Sequence, residues 1–107
     1  MNTIEIVGNL TADPEIKYTP NGTAVANFRI ASDRSRQRVS KTDYLPIAAW
    51  ESLAENTMTT LKKGAFVRIK GALRVDSYET SEGAKRTTFQ IVARTIELVE
   101  RSAEAVE

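Results

Sequence analysis

Apolar residues recur at every second position through five segments of this chain, the spacing of strands that bury one face. Ile4 and Ile6 open the pattern in residues 3–10, where Val7-Gly8 suggests a bend or bulge. Ala26, Phe28 and Ile30 alternate with Asn27 and Arg29 through residues 24–32. Leu45, Ile47 and Ala49 repeat the alternation in residues 42–50, whose Pro46 points to an edge or a bulge. Val67, Ile69, Gly71, Leu73 and Val75 share one side of a long strand over residues 65–78, with Gly71 marking strong bending. Phe89, Ile91 and Ala93 turn inward in residues 86–98, with an irregularity expected before Ile96 and Leu98. Asp13-Pro14 and Pro20-Asn21-Gly22 are turn signals on either side of a short extended piece, residues 15–18, and Gly83 closes a hairpin.

The spacing changes only in residues 52–61, where Leu53, Thr57 and Leu61, joined by Ala54 and Met58, make the apolar stripe of a helix. Ser52 and Glu55 have capping-box spacing, and Lys62-Lys63-Gly64 supplies cations and a free-turning residue at the other end. Three strands, a helix and two strands give the element order of an all-β, five-stranded OB-fold Greek-key barrel, with its helix between the third and fourth strands. That topology serves several ligand classes, so function has to come from the surface.

The surface is informative at the positions opposite the core. In residues 44–50 these include Tyr44 and the only tryptophan, Trp50; in residues 66–78 they include Arg68, Lys70, Arg74 and Tyr78. Each ring also has an ordinary reading as a packing residue, and Trp50 in particular could cap the barrel. Parity sets Tyr44, Trp50 and Tyr78 together beside cations, which favours stacking on the bases of a single-stranded nucleic acid. Tyr18 is expected to pack at a strand edge, and Phe28, Phe66 and Phe89 to serve the core or a subunit contact.

At 107 residues the chain is one domain, and its 41% apolar and 27% charged content is ordinary for a soluble globular protein. No apolar run approaches a membrane span and the amino terminus does not read as a secretory signal, so a cytoplasmic protein is expected. The absence of histidine and cysteine removes the commonest general base, the best nucleophile and the best zinc ligands. Neither an enzyme nor a cofactor or metal is expected. The formal charge of +1 hides an uneven distribution. Residues 29–41 hold five cations (Arg29, Arg34, Arg36, Arg38, Lys41) against Asp33 alone, while residues 62–86 hold seven against three acids. The last eleven residues carry four glutamates against one arginine. Local fields of this kind suit an anionic ligand whatever the total, although solvated loops produce such clusters too.

Several motifs carry a resemblance. V-G-N-L at residues 7–10, D-P-E-I-K-Y at 13–18, P-N-G-T-A-V-A-N-F at 20–28, L-K-K-G at 61–64 and I-K-G-A-L-R at 69–74 resemble the bacterial single-stranded DNA-binding proteins over residues 1–98. The resemblance implies an OB-fold domain over residues 1–99, a short acidic tail over 100–107, and sequence-independent binding of single-stranded DNA in replication, recombination or repair. It implies a homo-oligomer, with a tetramer favoured and a dimer left open, placed at the nucleoid or replication fork. Tyr44, Trp50 and Tyr78 align with the family's stacking rings, and Lys17, Lys63 and Arg74 match its basic positions. The charge clusters add Arg29, Arg36, Arg68, Lys70, Lys85 and Arg86 to the expected nucleic-acid-binding set. Arg36 stands where well-known members carry a further stacking tryptophan, in a shortened segment, and Pro46 replaces a basic residue. The long tail with an acidic tip that recruits partners in the family is not expected here, so the chain is read as a truncated or specialised version, or one that recruits partners differently. The alternatives are a primosomal-type OB replication protein acting as a dimer, and an OB module for protein or oligosaccharide. Salt-dependent affinity for single strands separates the last from the others.

Overall fold

The structure, a computed structural model, describes residues 1–33 and 41–99. Six strands and one helix follow in the order β1 (Ile4–Leu10), β2 (Glu15–Tyr18), β3 (Ala24–Asp33), β4 (Thr42–Trp50), α1 (Ser52–Thr60), β5 (Phe66–Glu79) and β6 (Lys85–Leu98). Five of the strands close on themselves in the sequence β1–β5–β6–β4–β3–β1, while β2 pairs with β3 as an appended edge strand. This is the OB-fold barrel expected from the sequence, with the extended piece before the first hairpin promoted to a strand. All pairings are antiparallel except β4 with β6, which touch in parallel over only two residue pairs, Ile47 with Ile91 and Ala48 with Val92.

Closure depends on β1 changing partners. It pairs with β5 from Ile4 to Asn9, then reaches β3 through Asn9 and Leu10. Of the bend or bulge expected at Val7-Gly8, the bulge is absent, because the register with β5 runs through it unbroken. Gly8 serves close approach instead: a Cβ there would lie 2.5 Å from the Ala31 carbonyl oxygen. The irregularity expected late in the last strand is present. Lys70 faces Thr95 but Gly71 faces Ala93, so Arg94 is an extra residue in β6 and the inward phase shifts from Ile91 and Ala93 to Ile96, while Leu98, which has the same phase, is exposed at the strand end.

The core is Leu10, Phe28, Ile30, Ile47, Leu61, Val67, Ile69, Ile91 and Ala93, all contributed by inward parity or by the end of α1. The alanines Ala24, Ala26, Ala49 and Ala54 form a second cluster whose small side chains let α1 lie close on β3 and β4. Three expectations about the helix fail. Its N-cap is Glu51 and makes no side-chain capping bond, so Ser52 lies one position inside and no capping box forms. Met58 is exposed. The helix stops at Thr60 because Leu61 turns extended to enter the core, leaving Lys62 and Lys63 beyond the last turn.

The inward pattern of β5 and β6 outruns the barrel. β1 accompanies β5 only as far as Gly71; past it, Asn2 clamps the backbone of Leu73 with bonds of 2.7 and 3.2 Å. From there Leu73–Glu79 and Lys85–Gln90 continue as a two-stranded arm. Val75 and Phe89 are direct partners on this arm with inward parity, yet they are 57% and 46% exposed because, among the described residues, the core stops short of them. Phe89 is therefore not a core residue. Tyr18, at the end of an edge strand, is also exposed rather than packed.

Candidate nucleic-acid interface

Directly opposed residues of paired strands share a face, so the register maps the outward surface of β2, β3 and β4. Lys17, Val25 and Trp50 form one cross-strand row, Arg29 pairs with Pro46, and Ala31 pairs with Tyr44. Tyr44 is 59% exposed and Trp50 39%. The surface passes to β6 at the short parallel contact. Beyond it Trp50 shares a hollow of ≈ 500 Å³ with Arg74, Val75, Asp76, Gln90 and Val92. Tyr78, 53% exposed, lies further out on the arm directly opposite Arg86, with Lys85 lining the same concavity.

Tyr44 lines a second cleft where β4 and β6 diverge before their two-residue contact. Pro46 and Arg29 share its β4 side, and Thr87, Thr88 and Phe89 form the other. Arg29 also borders a third cleft, ≈ 350 Å³, that contains Asp13 and Glu15. The Asp13 carboxylate accepts a 2.7 Å hydrogen bond from the Lys63 backbone, which ties the turn after α1 to the β1–β2 loop and fixes where Lys63 emerges.

The structure thus gathers Lys17, Arg29, Tyr44, Trp50, Arg74, Tyr78 and Arg86 along one outward surface, with Lys63 beside the β1–β2 loop and Lys85, of opposite parity to Arg86, at the tip of the arm beside Tyr78. It does not gather Arg68 and Lys70. They lie on the wall made by β1 and the far half of β6, across the register shift from Arg74. Arg68 is held there by Glu97 at 3.0 Å and Glu5 at 3.5 Å, so its charge is compensated inside the fold. Parity along β5 puts Arg68, Lys70 and Arg74 on one face, but β1 flanks β5 only up to Gly71 and the register with β6 shifts there, which separates the first two from the third. Arg36 lies outside the described residues. Gln90 and Val92 were missed as lining residues; their outward parity was legible, but their place beside Trp50 follows from the parallel β4–β6 contact, which no local signal announces.

Glu51, immediately after Trp50, has φ 60° and ψ −129°, backbone that a residue with a side chain occupies at a cost of about 1–3 kcal/mol. It is anchored there by its N–H on the Ala24 carbonyl and by its own carbonyl, which accepts from Ala54 and Glu55. Glu51→Gly is expected to raise stability by about 1 kcal/mol after the entropy cost of glycine, or roughly 4–8 °C in Tm. A thermal melt of the two proteins checks this; an unchanged or lower Tm would show that the turn stores no such strain.

A profile of the single-strand binding protein family matches residues 1–99. The chain is 46% identical over 96 residues to the single-stranded DNA-binding protein of Paenarthrobacter aurescens, covering 83% of this chain and 56% of that protein. The protein of the same name from Halalkalibacterium halodurans is 36% identical over 103 residues, covering 94% of this chain and 61% of its own length. Single-stranded DNA-binding protein 3 of Clostridium acetobutylicum is 37% identical over 103 residues, with 94% and 72% covered. The chain therefore spans somewhat over half the length of the first two of these relatives. On the family match and these identities, carried by a closed OB barrel, the chain belongs to the single-strand binding protein family.

Proposed function

We propose that this protein binds single-stranded DNA without sequence preference and protects it during replication, recombination or repair. The observation that carries the reading is the alignment of three exposed rings, Tyr44, Trp50 and Tyr78, with Arg29, Arg74 and Arg86 on one outward surface. Cations draw in the strand and release counterions; the rings then stack bases at on the order of 1–3 kcal/mol each. Every base has a π-face, so no base is preferred. The mechanism has no catalytic step, in keeping with a family of binding proteins.

Residues 1–99 are the binding domain in this reading. The proposed working form is a homotetramer, in which several sites on one strand raise each other's effective concentration. Light scattering checks the mass. No helix among the described residues is long and apolar enough to cross a membrane, and the proposed location is the cytoplasm, at the nucleoid or replication fork.

The direct test is titration of Trp50 fluorescence with oligo-dT, followed by variants. Trp50→Ala and Tyr78→Ala are each expected to weaken binding by about 1–3 kcal/mol while leaving Tm nearly unchanged. Trp50→Ala has no tryptophan left, so its affinity is read from the anisotropy of a labelled oligonucleotide. If the rings were packing residues, truncation would instead cost roughly 3–5 kcal/mol of folding stability and spare binding.

A further inference from the structure

Phe89 has no structural task in the described chain. It has inward parity but sits on the arm, 46% exposed, beyond the end of the barrel core. It is also one wall of the cleft that opens where β4 and β6 diverge. That cleft, ≈ 300 Å³, has Tyr44 and Pro46 on its β4 side, Thr87, Thr88 and Phe89 on its β6 side, and Arg29 at its margin. Two aromatic residues and a cation thus border one opening, together with a single threonine hydroxyl, because Thr87 and Thr88 are neighbours on β6 and point to opposite faces.

We infer that this fork is a nucleobase-binding cleft in which Phe89 is a fourth stacking residue, opposite Tyr44, with Arg29 taking the adjoining phosphate. The inference rests on the single-stranded DNA reading above and adds a contact to it. Three features select a base over a protein side chain as the occupant. The cleft is continuous with the surface that carries Tyr44 and Arg29. Its threonine hydroxyl and guanidinium need polar partners, which a dry protein contact would leave unmet and a nucleotide supplies. A flat base also presents apolar faces to both rings at once, which suits a slot between strands better than a bulky aliphatic side chain.

The test compares wild type with Phe89→Ala, Phe89→Leu and Phe89→Tyr in oligo-dT binding, with the mass of each checked by light scattering. Phe89→Ala and Phe89→Leu are expected to weaken binding about 5- to 150-fold at unchanged mass, because both remove the ring, and Phe89→Tyr to retain wild-type affinity. Irradiating the wild-type complex with oligonucleotides containing 5-iodouracil should cross-link the tryptic peptide of residues 87–94, which ends at Arg94 and contains Phe89. Wild-type affinity in Phe89→Ala, with wild type itself binding, would overturn the inference and leave the wider reading intact. Weaker binding accompanied by a loss of oligomer mass would also overturn it, by making Phe89 a contact to a second copy. No binding by wild type would remove the wider reading and this one with it.

Discussion

Raising salt from 50 to 200 mM should weaken oligo-dT binding by about 250-fold, the consequence of a slope near −4 in log affinity against log salt. Among the described residues, six cations lie on the proposed surface or at its ends: Lys17, Arg29, Arg74 and Arg86 on it, Lys63 by the β1–β2 loop and Lys85 at the tip of the arm. Each phosphate neutralised on a single strand contributes roughly 0.7 to the slope. The distribution of charge makes the experiment more specific than a total. Arg74→Ala should flatten the slope by about 0.7. Arg68→Ala should leave it unchanged, since Glu5 and Glu97 already hold that guanidinium. A slope near zero in wild type would remove the electrostatic half of the mechanism. Equal effects at Arg68 and Arg74 would show that the strand runs over the β1 wall as well. Arg36 is tested in the same series: Arg36→Trp should reduce the slope by about 0.7 if that arginine meets a phosphate, and leave it unchanged if the charge stays solvated.

Strands were the most legible part of the fold because half-buried strands write their burial into every second residue. β4 runs from Thr42 to Trp50, as the alternation of Leu45, Ile47 and Ala49 indicates, and the shift in β6 was visible from the misfit of Ala93 with Ile96. Parity has no information on where a core ends. Val75 and Phe89 obey the same alternation as Ile69 and Ile91, and only the length of β1 decides that the first pair is exposed. The same blindness put Arg68 and Lys70 with the rings: a count along β5 keeps its phase through Gly71 while the wall itself turns. The helix ends were misread for a related reason. Ser52 and Glu55 have the local spacing of a cap, but the chain leaving β4 is held by the bond from Glu51 to Ala24, and this tertiary contact sets the helix start. The exposure of Tyr44, Trp50 and Tyr78 was legible because each alternates with buried or inward-phase neighbours on its strand.

Gly71→Ala is expected to destabilise the protein by roughly 3 kcal/mol or more, at or beyond the upper end of ordinary overpacking, and to lower Tm by more than about 10 °C. A Cβ at this position would lie 2.1 Å from the Val92 carbonyl oxygen and 2.9 Å from its carbon, and both are backbone atoms of a paired strand. Neither can move aside as a side chain would. The strand pair itself would have to separate, at the point where Arg94 is inserted into β6 and where β5 loses β1 as a neighbour. Everything the arm presents, Arg74, Tyr78, Lys85, Arg86 and Phe89, lies on the far side of this pivot. The fraction of Gly71→Ala that remains folded at low temperature should therefore bind oligo-dT more weakly than wild type, although none of its proposed DNA contacts has been altered. Wild-type melting would show that the strands tolerate the methyl group and that the close approach is not a constraint. Reduced stability with wild-type affinity in the folded protein would show that Gly71 closes the barrel without aiming the arm.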